Sequence, residues 1–362
     1  MKIDITRTES IAMRAIAILL IAMYNFCHST NMFVLENEGT FYVDRPEEFF
    51  RRLSNGSETL LGDFFSFYGW YGVPVFMFLS GYGIVKKYEQ TEYGQNTSGK
   101  VFLQSNFMKM FKLLLPATLL LILIHVSSGH LNIKYVGMLL FQQTFLNDFV
   151  YIWIPPYPGV YWYFGLTLQL YALYWITQHN CSNKSGNICL VICVVLSFLI
   201  QVMALPADWN NESQVYLRYV RHNCVGWVAP FALGIYMARN NFKKYCSVFS
   251  IILIVLLAIV VMITCIFNGI LWQLTPLAAI LIIYVVGKLL VNVPVISTAL
   301  IWIGGYASYI FVVHPLVRTY LLDYAMDDPA PYVTFGVYMM LVVLFAVIYK
   351  VVSTKFYFFI KL

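Results

Sequence analysis

Residues 13–26 read MRAIAILLIAMYNF. A single charge, Arg14, interrupts the run, which turns polar only at Tyr24 and Asn25. Taken as 8–28, it has the roughly 20 mostly apolar residues that a helix needs to cross a bilayer core of about 30 Å. It follows Arg7 and closes on Cys27-His28-Ser29-Thr30, without a small-x-small cleavage site. It is therefore expected to remain as a signal anchor.

Runs of the same kind recur near 66–85, 107–126, 159–178, 187–205, 220–238, 247–267, 270–288, 297–318 and 332–352. The fold expected is an all-α polytopic membrane protein, a single bundle of about ten transmembrane helices over residues 1–362. Composition agrees. The chain is 60% hydrophobic, 17% aromatic and only 11% charged, with a mean hydropathy of +0.72. A soluble domain carries about 25% charged residues, so this chain has too few charges to coat a surface facing water. The net charge of +6 is read as basic residues held on one face of a bilayer, the partner expected, and not as a nucleic-acid surface. No CxxC pair and no zinc-ligand spacing are present, so no metal is expected.

Placing the N-terminus in the cytoplasm puts 16 of the 23 Lys and Arg residues inside. Arg45, Arg51, Arg52, Lys134, Arg218, Arg221 and Arg318 are left outside. This is the bias of the positive-inside rule, and an even number of spans returns the C-terminus to the cytoplasm. The acids run the other way, with Glu36, Glu38, Asp63 and Asp148 among those outside. Residues 133–157 resist the scheme. They are apolar but short, with Gln142, Gln143 and Asn147, and then Ile154-Pro155-Pro156-Tyr157-Pro158, which cannot be helical throughout. A re-entrant or interfacial segment is expected there, because irregular backbone at membrane depth must be buried in protein or line a cavity.

The largest loops, 29–65 and 86–106, are too small to hold a core of their own. Chemistry must take place within the bundle or at its mouths. Arg14 lies inside the first span, where a cation costs roughly 2.5–3.5 kcal/mol on insertion scales; it either snorkels to the headgroups or serves a ligand. His28 ends the same helix, with Tyr24 one turn earlier. A histidine there is either a general base or a wetted interfacial residue. Lys109 and Lys112, before Pro116, are spaced to share a helix face. They suit a phosphate or pyrophosphate, or form an ordinary positive flank. Tyr161, Trp162 and Tyr163 open the fourth span as an aromatic belt or a sugar platform. His314, in Val312-Val313-His314-Pro315, is an intramembrane ionisable group in need of a partner.

Taken in order, the phrases MRAIAILLIAMYNF, FMFLSGY, FMKMFKLLLPA, YWYFG, WVAPFALGIYMAR and YIFVVHPLV resemble the acyltransferase-3, or O-acetyltransferase-like, membrane family over nearly the whole chain. The resemblance implies that an acyl group, commonly acetyl, leaves coenzyme A on the cytoplasmic side. It ends on a hydroxyl of a surface carbohydrate or lipid-linked sugar, in the plasma (inner) membrane of a bacterium. It implies functional roles for the first-helix arginine, matched by Arg14, and for a histidine further along that helix, where this chain has Tyr24 and Asn25. His28, one turn outward, takes that role in the transfer. Lys109 and Lys112 stand where the family's basic residues meet the coenzyme's phosphates, and Trp162, Tyr161, Tyr163 and His314 are assigned to the acceptor. Two other readings remain open at this level: a transporter or flippase for an amphipathic glycan or lipid, and a family member that has lost catalysis.

Overall fold

The computed structural model describes residues 4–30, 32–127, 132–150, 156–179, 181, 183–205, 214–240, 247–325 and 331–359. Among them there is no strand. The first half of the chain contributes α1 (Arg7–Ser29), α2 (Asp44–Ser54), α3 (Leu60–Tyr68), α4 (Gly72–Ile84), α5 (Glu92–Gln95), α6 (Gly99–Ser127), α7 (Ile133–Gln142) and α8 (Trp162–Gln178). The second half contributes α9 (Asn183–Met203), α10 (Val215–Arg221), α11 (Cys224–Asn240), α12 (Val248–Thr264), α13 (Thr275–Leu290), α14 (Pro294–Gly305), α15 (Ala307–Ala325) and α16 (Pro331–Phe359).

Among the described residues six helices are long and apolar enough to cross a membrane: α1, α6, α9, α12, α13 and α16. A seventh span results if α14 and α15, bent by 71° at Tyr306, count as one. The other segments expected from hydropathy fall on shorter helices. α4 has 13 residues, and α8 and α11 have 17 each.

α1 starts at a capping box. Thr6 Oγ1 accepts from Glu9 N at 3.2 Å, and Glu9 Oε2 accepts from Thr6 N at 2.6 Å, which satisfies two of the helix's orphan donors. The helix then runs through the middle of the bundle against α3, α4, α13, α14, α15 and α16. Its apolar stretch is 61% buried, as is that of α13, against 22% to 28% for α6, α9, α12 and α16. Protein therefore surrounds α1, while the latter four turn most of their apolar surface outward.

Small residues let α4 and α11 touch backbone to backbone. A Cβ on Gly81 would stand 2.1 Å from the Phe231 carbonyl oxygen, and one on Gly234 2.0 Å from that of Phe78. Neither atom can move without parting the helices. Gly81→Ala or Gly234→Ala is expected to cost about 1–3 kcal/mol by overpacking. Thermal denaturation in detergent should show this as a Tm several degrees lower. Gly83→Ala, on the same helix with open space at its Cβ, should leave Tm unchanged, and equal Tm values for all three would refute the packing account.

Charged side chains tie the end of the bundle where α1 begins. Lys288 Nζ donates to Glu9 Oε1 at 3.0 Å and to the Asp4 carbonyl at 2.6 Å, and Tyr82 Oη donates to Asp4 Oδ1 at 2.6 Å. Past Ile84 the chain continues as a π-helical turn, Val85–Glu89, a form found frequently at functional sites. Arg239 of α11 grips that turn with a fork, Nη2 and Nε meeting the two Glu89 oxygens at 2.6 and 2.8 Å.

The segment at 133–157 lacks the length to cross. The ten residues of α7 rise about 15 Å at 1.5 Å each, half a bilayer core. Phe145, at φ 58, turns the chain into a short 3-10 helix, Asn147–Val150. There Asp148 is fully buried against Gly165 of α8, a carboxylate inside the bundle that hydropathy assigned to an outer loop. Residues 151–155, including Ile154 and Pro155 of the expected irregular stretch, lie outside the described residues.

Candidate functional site

Three adjoining cavities follow α1 through the bundle. The first, about 320 Å³, lies near the start of α1 and is lined by Ser10, Arg14, Lys87, Tyr88, Asn106 and Lys109 among others. The second, about 440 Å³, shares Arg14 and Phe76 with the first and adds Arg7, Tyr163, Ser308 and Phe311. The third, about 210 Å³, shares Tyr163 and Phe311 with the second and is bordered by Tyr24, Asn25, His28, Glu38, Trp162, His222 and Arg318. Shared walls make a row with cations at one end and a mixed polar chamber at the other.

Among the described residues no acid lines the first cavity or ion-pairs with its cations. Lys87 Nζ donates to Tyr88 Oη at 3.0 Å, and its ammonium group stands beside that of Lys109. Among the described residues none hydrogen-bonds or ion-pairs with Arg14, whose guanidinium faces the first two cavities. Like charges this close repel, and an anion placed between them would relieve the strain.

Lys112 does not line any of the three cavities. Residues three apart on a helix differ by about 60° around its axis, and α6 packs between α8 and α16. Lys109, itself exposed, lines the first cavity, while the Lys112 ammonium lies 5.7 Å from the Tyr357 ring of α16. Lys87, on the clamped π-helical turn, supplies the second cation instead.

At the far end, His28 Nδ1 lies 2.5 Å from Glu36 Oε2, and its ring centroid is 5.4 Å from that of Tyr24. Tyr24 Oη donates to Glu38 Oε2 at 3.0 Å. Asn25 Nδ2 donates to the Ile21 carbonyl at 2.9 Å, and Asn25 Oδ1 accepts from Arg318 Nη1 at 3.1 Å. The two loop carboxyls diverge. Burial works to raise Glu36, but the His28 ring and Arg45 outweigh it and hold the group below the usual carboxylate value. Burial and the nearby Glu36 charge push Glu38 up to about 7.

The loop bearing both acids is anchored from behind. Arg221 Nε donates to the Glu38 carbonyl at 3.0 Å. Its guanidinium sits 4.8 Å from the Trp227 ring centre, 4.7 Å from Trp272 and 5.8 Å from Trp70. Cation–π attraction of this kind is strongest when desolvated, and Arg221 is fully buried.

The aromatic residues assigned to the acceptor divide. Trp162 walls the third cavity, stacked on Trp227 at 5.6 Å and edge-on to His222 at 5.1 Å, and Tyr163 spans the second and third. Tyr161 is fully buried with its Oη donating to the Val312 carbonyl at 2.7 Å. His314 is likewise sealed, with Nδ1 3.1 Å from the Ile310 carbonyl. Neither borders the row; Arg318, one turn beyond His314, does. Cys27 is buried and borders no cavity of the row. No cluster of three or more His, Cys, Asp or Glu side chains able to hold a metal occurs among the described residues.

Lys87, Glu36, Glu38, Arg318 and His222 were missed by the sequence reading. Glu36 and Glu38 were counted only as outer acids, Lys87 and Arg318 only as cations on the two sides, and His222 was not singled out. Nothing in their spacing announced the partners that folding brings them.

Fold and cavities define a multi-pass helical membrane protein with a polar passage in its core. The family model described as an acyltransferase domain, acyltransferase family 3, matches residues 8–351 of the 362, and the chain belongs to that family. Membrane acyltransferase activity is what this family indicates. No curated protein and no solved structure matches the chain.

Proposed function

We propose that the protein moves an acyl group, in the simplest case acetyl, from cytoplasmic acyl-coenzyme A to a hydroxyl of a carbohydrate or lipid-linked sugar on the opposite side. The observation that carries this reading is the unbalanced cation set Arg14, Lys87 and Lys109 around one cavity. Coenzyme A is a polyanion with a long, narrow, neutral arm. Its phosphates suit the lysines, and the arm suits the second cavity, which brings the thioester past Arg14 toward Tyr163 and Phe311. The positive-inside rule places the start of α1 in the cytoplasm. Ten crossings follow if α4 with α3, α8 and α11 also span and α14 with α15 forms one bent span; a bacterial plasma membrane is the setting proposed.

On the far side, a chamber of about 210 Å³ takes a single sugar ring at a time, walled by Trp162 and edged by Glu38, Asn25 and Arg318. His28 is the general base for the attacking hydroxyl. Buried Cys27 supports direct transfer without an acyl-enzyme.

Calorimetry on purified protein in detergent tests the donor half. Acetyl-coenzyme A should bind the wild type, and Lys87→Ala/Lys109→Ala should weaken binding by about 10- to 100-fold, the worth of charge-assisted hydrogen bonds of about 1.5–3 kcal/mol. Lys112→Ala should bind as the wild type does. If folded wild-type protein binds no acyl-coenzyme A, the transporter reading regains its place.

A further inference from the structure

His28 stands on the last turn of α1, but Glu36 belongs to the loop beyond it. Helical geometry does not make this pair; the loop must fold back and be held. Four braces hold it. Arg45 Nη1 donates to the Glu36 carbonyl. The Asn37 side chain accepts from Tyr42 N at 3.0 Å and donates to Tyr42 O at 2.9 Å. Arg221 holds the Glu38 carbonyl. Gln214 bonds both the amide and the carbonyl of Phe41. The Glu36 side chain is only 9% exposed, whereas that of His28 is 38% exposed. A buried carboxylate is costly unless it is paired, and among the described residues its one ionic partner at 4.0 Å or less is the histidine ring.

We propose that Glu36 is the positioning residue of His28: its carboxylate accepts the Nδ1 proton, fixes the tautomer and the ring's orientation, and leaves Nε2 as the base toward the acceptor hydroxyl. This rests on the reading of His28 as the base. Glu36 itself never meets the substrate.

In the transfer step, the acceptor O–H gives its proton to Nε2 as its oxygen bonds to the thioester carbon. The carbon–sulfur bond breaks, and the coenzyme's thiolate leaves and takes the proton from Nε2–H. An ester and a free thiol result, with the imidazole neutral again. Throughout, Glu36 stays ionised and stabilises the transient imidazolium, the role of the third member in a nucleophile–base–carboxylate set. Charged and titratable groups facing this centre are Tyr24 on α1, Glu36 and Glu38 on the loop, Arg45 on α2, His222 ahead of α11, and Arg318 on α15.

Glu36→Gln keeps the shape and removes the charge. Its kcat for acyl transfer is expected to fall by about 10²-fold or more, with acyl-coenzyme A affinity unchanged. The acid limb of its kcat/KM profile should shift about one pH unit or more to lower pH, because an adjacent anion favours the imidazolium. Glu36→Asp should restore part of kcat and return the limb toward its original place. A merely structural role would move neither the limb nor kcat alone. Independently of any Glu36 variant, ¹⁵N NMR of wild-type histidines, assigned by difference from His28→Ala, should show the Nδ1–H tautomer.

A wild-type kcat and profile in Glu36→Gln, or an Nε2–H tautomer in the wild type, overturns the proposal while His28 can remain the base. Full activity in His28→Ala would instead remove the base itself and the proposal with it.

Discussion

His28→Ala is expected to lower turnover by about 10²- to 10⁴-fold, the range supplied by a positioned general base. The base role explains both the size and the selectivity of the loss. An alcohol is a weak nucleophile until its proton is taken, and among the polar side chains around the third cavity His28 alone has a ring nitrogen within ion-pair distance of a carboxylate. His222, across the chamber, has Nδ1 on the Arg218 carbonyl at 2.6 Å and its ring against Trp162, so it is occupied as a wall. The proposed donor site lies at the other end of the row, separated by the Arg14 cavity. Acyl-coenzyme A affinity should therefore be unchanged in His28→Ala. Single-turnover transfer of a labelled acetyl group, with calorimetric donor binding in parallel, separates the two. Equal loss of binding and transfer would mean that the residue supports structure and not the chemical step.

The second large effect belongs to Arg14. Arg14→Met should reduce transfer by about 10²-fold or more, comparable to losing one preorganised donor to a developing oxyanion. Its stability should not fall. An Arg held within a span costs roughly 2.5–3.5 kcal/mol to insert, and no hydrogen bond or ion pair from a described residue offsets that cost at Arg14. Replacing it with an apolar chain of similar length relieves the cost, so Tm in detergent should stay level or rise. Lost activity joined to retained or greater stability is the mark of a functional strain. Arg14→Lys, which keeps the charge but loses the planar fork, should fall between the two. A drop in Tm together with activity would show that Arg14 is a packing residue instead.

Much of this architecture was legible in the chain. Long apolar runs such as 8–28 and 332–352 announced helices because lipid cannot satisfy an open backbone, and α1 and α16 lie where those runs lie. Arg14 was legible as a functional candidate because a charge inside such a run is costly wherever the helix packs. That the stretch from residue 133 falls short of a full span was visible from its length, and the described part, a ten-residue helix and a short 3-10 turn, agrees. Residue types pointed to two mouths, a basic one with Arg14, Lys109 and Lys112 and an opposite one with His28 and the Tyr/Trp cluster.

Which side chains meet was not legible, since that depends on rotations and loop paths that hydropathy does not encode. Lys109 and Lys112 share a sequence pattern, yet the 60° between them is enough to send one into the cavity and the other toward Tyr357. His314 and Tyr161 were as conspicuous in the chain as His28 and Trp162, but packing of α15 against α8 and α16 sealed them away. Lys87 reached the site because a π-helical turn gripped by Arg239 aims it there. By itself the sequence determined that the chain is a helical membrane protein carrying an intramembrane arginine and a histidine at opposite ends of one helix, because burial cost and helical rise follow from residue type and spacing. Tertiary structure alone decided that Glu36 folds back onto that histidine and that Lys87 joins Lys109, because contacts between distant segments are set by how whole elements pack.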